Sequence, residues 1–147
     1  MKSAAGNWQQ AAGRGFTIDM PELDSGVRSY RGLNVWQEAM NLAEKCYRLV
    51  AAFPKNEMYE ISAQMRRAAV SIPSSIAEGY ARESAGSYSQ FLKISRGSLR
   101  ELETQLLLAD RVGLTETTKI KAVLEQCDVV ARLLHGLIKS IQSHSDT

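Results

Sequence analysis

From Val35 to Ile141 the apolar residues recur at steps of three and four, the spacing that lines one stripe of an α-helix. The first pattern carries two adjacent seams. One is Trp36, Met40, Ala43, Tyr47 and Val50; the other is Val35, Ala39, Leu42, Cys46, Leu49 and Phe53. Together they are wider than one bundle face requires, so one is expected to face the core and the flank of the other to meet a second subunit. Small alanines that tolerate partial exposure are the alternative. Pro54 closes the pattern, because the residue before a proline is pushed out of the helical region.

The second pattern buries Met58, Ile61, Met65, Ala69, Ile72 and Ile76. Asn56 is its expected N-cap, Glu57 and Glu60 sit near the positive end of the dipole, and the helix is predicted to run to about Glu83. Ala85-Gly86 reads as a short break and Ser87 as the cap of a third helix, with the seam Tyr88, Leu92, Ser95, Leu99, Leu102, Leu106 and Ala109. Gly113 supplies a left-handed stop, with Leu114 placed for the accompanying apolar contact. Thr115 is the expected cap of a fourth helix, whose seam is Ile120, Leu124, Cys127, Ala131, Leu134, Ile138 and Ile141. Four amphipathic helices joined by short loops predict an all-α fold, an antiparallel up-down-up-down four-helix bundle over residues 33–147.

The polar positions are ordered as well. Glu125, Asp128, Arg132, His135 and Lys139 share one face of the fourth pattern, acid early and base late. On the second pattern Arg67, Ser71, Ser74, Glu78 and Arg82 form a stripe roughly opposite the apolar seam. It is either a solvated face whose charges pair along the helix, Glu78 with Arg82 for instance, or a contact surface for a subunit or an RNA. Pro73 lies in this segment, where an interior proline costs about 3 kcal/mol and deprives the Ala69 carbonyl of its partner. Ser71, Ser74 and Ser75 surround the expected kink, and their hydroxyls, or a water, can satisfy the exposed backbone groups. Gly79 adds a second weakness of about 1 kcal/mol and permits close approach by a neighbouring backbone.

Residues 1–32 break the periodicity. Glycines punctuate them and Trp8 and Phe16 are their only large anchors, so they read as a flexible leader. The leader has no apolar core of a signal peptide, and no uninterrupted apolar run reaches the roughly 20 residues of a membrane span, so the expected address is the cytoplasm. A chain of 147 residues with 44% hydrophobic and 23% charged residues makes one globular domain. The net charge of +2 is small for a dedicated nucleic-acid module, although phosphate binding depends on where the charges sit. Cys46 and Cys127 are far apart and read as free core thiols in a reducing compartment.

No phosphate-loop, dinucleotide-binding, zinc-protease or serine-hydrolase motif occurs. His144 lies in a polar tail, and His135, on the charged stripe, reads as a surface histidine with no second metal ligand spaced to help it. Glu101 and Glu103 are two apart and do not share a helix face. Glu78, beside the proline, is the best candidate for a perturbed acid, yet no base or nucleophile is identifiable near it. The expectation is a protein without enzymatic activity, metal, cofactor or small-molecule substrate. Basic residues offer a more plausible surface: Arg66, Arg67 and Arg82 in the second helix, and Lys93, Arg96 and Arg100 in the third. These six are the candidate nucleic-acid-binding residues, since a guanidinium can donate two parallel hydrogen bonds to phosphate. Ordinary helix-surface ion pairs, with Glu101 and Glu103 close by, are the alternative.

The stretch QMRRAAVSIPSSIAEGYAR, Gln64 to Arg82, resembles the signature of bacterial four-helix-bundle proteins encoded in intervening sequences of large-subunit ribosomal RNA genes. LNVWQEAMNLAEKCYRLVAAFP before it and SRGSLRELETQLLLADRVG after it extend the resemblance over about Leu33 to Ile141. The helix-kink motif is Ser71, Pro73, Ser74, Ser75, Glu78 and Gly79; the family usually has Asn where Ser75 stands. The resemblance implies an antiparallel bundle, assembly as a homopentamer, and a relation to the accessory proteins of diversity-generating retroelements, which act beside a reverse transcriptase and its RNA. The functional expectation is a non-enzymatic oligomeric bundle that binds or organises an RNA-containing complex, either ribosomal RNA or a reverse transcriptase with its template RNA. A protein–protein adaptor without nucleic-acid contact is the alternative. A pentamer would repeat any small basic patch around a ring and add weak contacts through avidity.

Overall fold

A computed structural model describes residues 29–57 and 60–145. The leader's Trp8 and Phe16, and Met58 of the second seam, lie outside the described residues. Four helices carry the fold: α1 (Asn34–Val50), α2 (Ile61–Tyr80), α3 (Ala85–Arg111) and α4 (Thr117–Ser145). Single 3-10 turns occupy Tyr30–Gly32 and Lys55–Glu57, and no strand occurs among the described residues.

The helices pack in sequence order around one core, α1 on α2, α2 on α3, α3 on α4, and α4 back on α1. Met65, Ile72 and Ile76 of α2 meet Leu92, Leu99, Leu102 and Leu106 of α3 in that core, all excluded from solvent. Val123, Val130 and Leu134 of α4 complete it, so its seam is broader than the one expected. Cross-helix bonds record the register. Ser71 pairs with Ser98 while Gly79 abuts Phe91, so α2 and α3 run antiparallel. Asp110 bonds Thr117 while Lys93 and Arg96 lie beside His135 and Lys139, so α3 and α4 do too. Between α1 and α4, the buried Gln126 amide donates to the Glu38 carbonyl at 3.0 Å and carboxylate at 2.8 Å, and its oxygen accepts from Lys45.

Of the two α1 seams, Val35, Ala39, Leu42, Cys46, Leu49 and Phe53 face the core. On the other, Trp36 and Val50 are buried, but Met40 and Tyr47 stay 38% and 47% exposed. Tyr30 stacks edge-on against Trp36 at 5.3 Å, and the Gln37 amide donates to the Arg31 carbonyl. The turn at Tyr30–Gly32 is therefore already packed on the bundle.

The helix ends correct several expectations. Asn56 does not cap α2, because it lies in the Lys55–Glu57 turn; Glu60, at φ −106° and ψ −105°, leaves the helical region, and α2 starts only at Ile61. Its end comes at Tyr80 rather than Glu83, where Ala81 and Arg82 donate to the carbonyls of Glu78 and Gly79 in a tightened last turn. Ser84, not Ser87, caps α3: its hydroxyl accepts from the Ser87 N–H at 3.1 Å, which makes Ala85-Gly86 the first turn and not a break. Thr115 lies outside α4, whose first bonds go to the Glu116 carbonyl, and Thr117 instead donates to Asp110 across the loop at 2.7 Å. The stop at Gly113 is as expected. With φ +75° it lets its own N–H reach the Asp110 carbonyl and the Leu114 N–H reach Ala109, and Leu114 packs on the core.

α2 runs through Pro73, which is buried. The serines of α2 were expected to serve the backbone there; a hydroxyl from α3 reaches this turn instead, at the Ile72 carbonyl and not at the Ala69 carbonyl that the proline leaves without its partner. Ser95 of α3 donates to the Ile72 carbonyl at 2.9 Å, and Ser71 turns its hydroxyl to Ser98 at 2.8 Å. Ser74 points to solvent and Ser75 is buried. The reason is proximity: a Cβ added to Gly79 would stand 2.7 Å from Phe91 Cβ and 3.3 Å from the Tyr88 carbonyl oxygen. At that separation the hydroxyls of α3 lie within reach of the α2 backbone.

Candidate nucleic-acid interface

Five of the six candidate cations lie on α2 and α3 and Arg82 follows the end of α2, and packing divides the six among four environments. Arg66 and Arg67 line an open groove of about 540 Å³ between α1 and α2, together with Tyr47, Ala63, Val70 and Ser71. Arg66 is half-buried and Arg67 exposed. Tyr47 and Val70 expose nearly half their surface here, so the groove combines two guanidinium groups with an aromatic ring and an apolar wall. Lys93 and Arg96 line a second groove, of about 380 Å³, between α3 and α4, with His135, Ile138, Lys139 and Gln142.

The other two cations are engaged. Arg100 forms an ion pair with Glu103 at 2.8 Å, the ordinary helix-surface alternative. Arg82 does not pair with Glu78; its guanidinium lies over the Phe91 ring at 4.5 Å, a cation–π contact that ties the end of α2 to α3. Glu78 is exposed and makes no ion pair among the described residues. The stripe Arg67, Ser71, Ser74, Glu78, Arg82 is thus not one surface. Its first two members belong to the α1/α2 groove, Ser71 also binds Ser98, and its last member clasps α3.

Three contributors escaped the pattern reading. Tyr47 counted as a seam residue, although its place on the outer of two seams was a signal of exposure. His135 and Lys139 belonged to the charged stripe of α4, and only the packing of α4 against α3 sets them beside Lys93 and Arg96.

The buried thiols offer no chemistry at neutral pH. Burial pushes both Cys46 and Cys127 up to about 12; the Arg66 charge opposes this weakly at Cys46, and Glu103 adds to it at Cys127. The Cys46 thiol donates to the Met65 carbonyl at 3.7 Å. Burial, helped by Tyr80, likewise lifts the Tyr88 phenol to about 12. No group of three or more His, Cys, Asp or Glu side chains able to hold a metal occurs among the described residues. No helix among them is long and apolar enough to cross a membrane.

Residues 31–136 match the family described as 23S rRNA-intervening sequence protein. The chain belongs to this family. The match spans all of α1, α2 and α3 and most of α4, and so includes both grooves except for Ile138, Lys139 and Gln142. The fold has a solved counterpart: a crystal structure at 1.70 Å of a protein with unknown function from the S23 ribosomal protein family of Bacteroides thetaiotaomicron. It superposes with a TM-score of 0.65 at 20% sequence identity, over 71% of this chain and 95% of that one. No curated protein matches the chain. For this member of the intervening-sequence family the helical bundle is thus seen in a solved relative, while the cation-lined grooves are read from its own residues.

Proposed function

We propose that the protein is a non-enzymatic, oligomeric helical bundle that binds or organises an RNA-containing complex in the cytoplasm. The observation that carries the reading is the α1/α2 groove, where Arg66 and Arg67 stand beside the exposed ring of Tyr47. Guanidinium groups neutralise phosphates and an exposed aromatic face stacks on a base, the pairing that single-stranded nucleic acid requires. Membership in a family named for an intervening sequence of 23S rRNA supports ribosomal RNA as the nucleic acid. The RNA of a reverse-transcriptase complex is the second candidate and rests on the sequence resemblance alone. Assembly, as a pentamer by that resemblance, would multiply each groove, and Met40 leaves apolar surface on α1, outside the groove lining, for a neighbouring copy.

The test is fluorescence anisotropy with a labelled ribosomal RNA fragment, run as a salt titration beside light scattering. Binding is expected to weaken steeply with salt, and an R66E/R67E variant that still assembles is expected to lose most of it. Unchanged binding by that variant would refute the assignment of the groove. A second reading, a protein–protein adaptor, is favoured by the exposed Ile94, Leu107 and Leu108 of α3 and Val112 just beyond its end. A shift of structured RNA by the purified protein alone at physiological salt would count against it.

A further inference from the structure

The α3/α4 groove gathers four basic side chains, Lys93, Arg96, His135 and Lys139, in one lining. Lys93 and Arg96 stand three residues apart on α3, and His135 and Lys139 four apart on α4, so each pair occupies one turn and the two turns face each other. Among the described residues Lys93, Arg96, His135 and Lys139 make no hydrogen bond or ion pair. Two other arginines of the bundle are neutralised: Arg48 binds Glu44, and Arg100, one turn beyond Arg96, binds Glu103. Three permanent charges and a titratable imidazole therefore converge on a space of about 380 Å³ with no carboxylate in its lining.

We infer that this groove is a phosphate-binding site, with Arg96, Lys93 and Lys139 as its fixed charges and His135 as a proton-dependent fourth donor. Like charges held this close repel one another and favour an anion between them. Arg96 can present two parallel N–H groups to one phosphate, and the lysines act as point charges from either side. Ile138, buried beneath the groove, gives it an apolar floor that limits hydration of a bound oxygen. The volume accommodates a phosphate group and is small for a folded peptide segment. The inference rests on the RNA reading for the identity of the ligand, an RNA phosphodiester, though a small polyphosphate presents the same chemistry.

The pH dependence follows from the groups around the imidazole. Lys93 and Arg96 face it from α3, and Lys139 follows it by one turn on α4. Arg132 and Asp128 lie one and two turns before it on its own stripe, and Glu103 of α3 is held by Arg100. A bound phosphate interacts better with imidazolium than with imidazole, so affinity rises as pH falls. A phosphodiester has no proton to lose or gain between neutral pH and mild acid, which leaves the protein as the source of the change.

The experiment has two arms. In the first, labelled single-stranded RNA is titrated by anisotropy at about pH 8 and about pH 5.5. Wild type is expected to tighten about threefold at the lower pH, the scale of one exposed ion pair. His135→Gln should abolish that gain and His144→Gln should keep it. A K93Q/R96Q/K139Q variant should flatten the slope of log affinity against log salt by about two, for three lost single-strand contacts. Lys121→Gln, which removes a single charge elsewhere on α4, should leave the pH gain intact. RNA binding that is identical in wild type, His135→Gln and the triple variant would overturn the site and leave the RNA reading standing. In the second arm, tripolyphosphate is added while the His135 ring protons are followed by NMR. A shift of those protons that is lost in the triple variant, in a protein that does not bind RNA, would uphold the phosphate site and remove the RNA reading. No response to either ligand would overturn both. All four groove residues are solvent-exposed or half-exposed, and circular dichroism of each variant verifies its fold.

Discussion

Gly79→Ala should destabilise the bundle, against the usual direction of that substitution in a helix. A glycine replaced by alanine in an unstrained helical position gains about 0.4–1 kcal/mol from the unfolded chain's lost freedom. At residue 79 the added methyl would lie 2.7 Å from Phe91 Cβ, 3.1 Å from Tyr88 Cδ1 and 3.3 Å from the Tyr88 carbonyl oxygen. Two of those atoms belong to or adjoin the α3 backbone, so no side-chain rotation relieves the contact and α3 itself must move. Overpacking of this kind costs about 1–3 kcal/mol. The shortest contact places residue 79 in the upper half of that range, and subtracting the propensity gain leaves a net loss of about 1–2 kcal/mol. In a domain of this size that lowers Tm by about 4–8 °C. Gly97→Ala in α3 and Gly136→Ala in α4 are internal controls, since a Cβ at either meets nothing within 4 Å. Both should raise stability by about 0.4–1 kcal/mol. Thermal and urea unfolding of the three variants, read by circular dichroism, would decide the matter. If Gly79→Ala stabilises as much as the two controls, α2 and α3 do not approach as described, and the account of Ser95 and Ser98 at the proline falls with it.

Ser95→Ala should cost about 1 kcal/mol in urea unfolding, because it removes the buried hydroxyl that donates to the Ile72 carbonyl beside Pro73; Ser74→Ala, on the solvent side of the same turn, should cost almost nothing. Stability should fall as pH rises above about 9. Cys46 and Cys127 titrate near 9 when unfolded and near 12 when folded, and Tyr88 near 10 and 12, so between those values the unfolded chain has released protons that the folded one retains. Each group then costs about 1.4 kcal/mol per pH unit across its window, with its full contribution present below the unfolded value. Denaturant titrations from pH 7 to 11 should show the decline, and C46A/C127A should flatten it; a wild-type profile that stays level past pH 10 would contradict the burial of these groups.

Much of the architecture was legible in the pattern because solvent exclusion acts locally on spacing. The core stripes of α1, α2 and α3 were read residue by residue, and Val35, Leu42, Met65, Ile72, Leu92 and Leu99 all face inward as their periods require. Gly113 was legible because a left-handed residue has few alternatives to glycine. Caps were harder. Asn56, Ser87 and Thr115 are all good cap residues, but each sits a few positions from a boundary that backbone geometry set elsewhere. Of the candidate site, residue types were visible and partnerships were not. Arg100 meets a carboxylate on its own helix, whereas whether an arginine meets a ring or an open groove depends on the neighbouring helix, as Arg82 and Arg96 show.

The linear order of residues determined that this chain makes four amphipathic helices with a shared apolar interior, since periodicity alone separates the faces that water rejects from those it accepts. Tertiary packing decided which polar side chains share a groove, because residues some forty positions apart, such as Arg96 and His135, become neighbours only once α3 and α4 lie side by side. It also decided that the carbonyl just before the proline of α2 accepts from a hydroxyl of another helix, brought within reach by a glycine that leaves room for it.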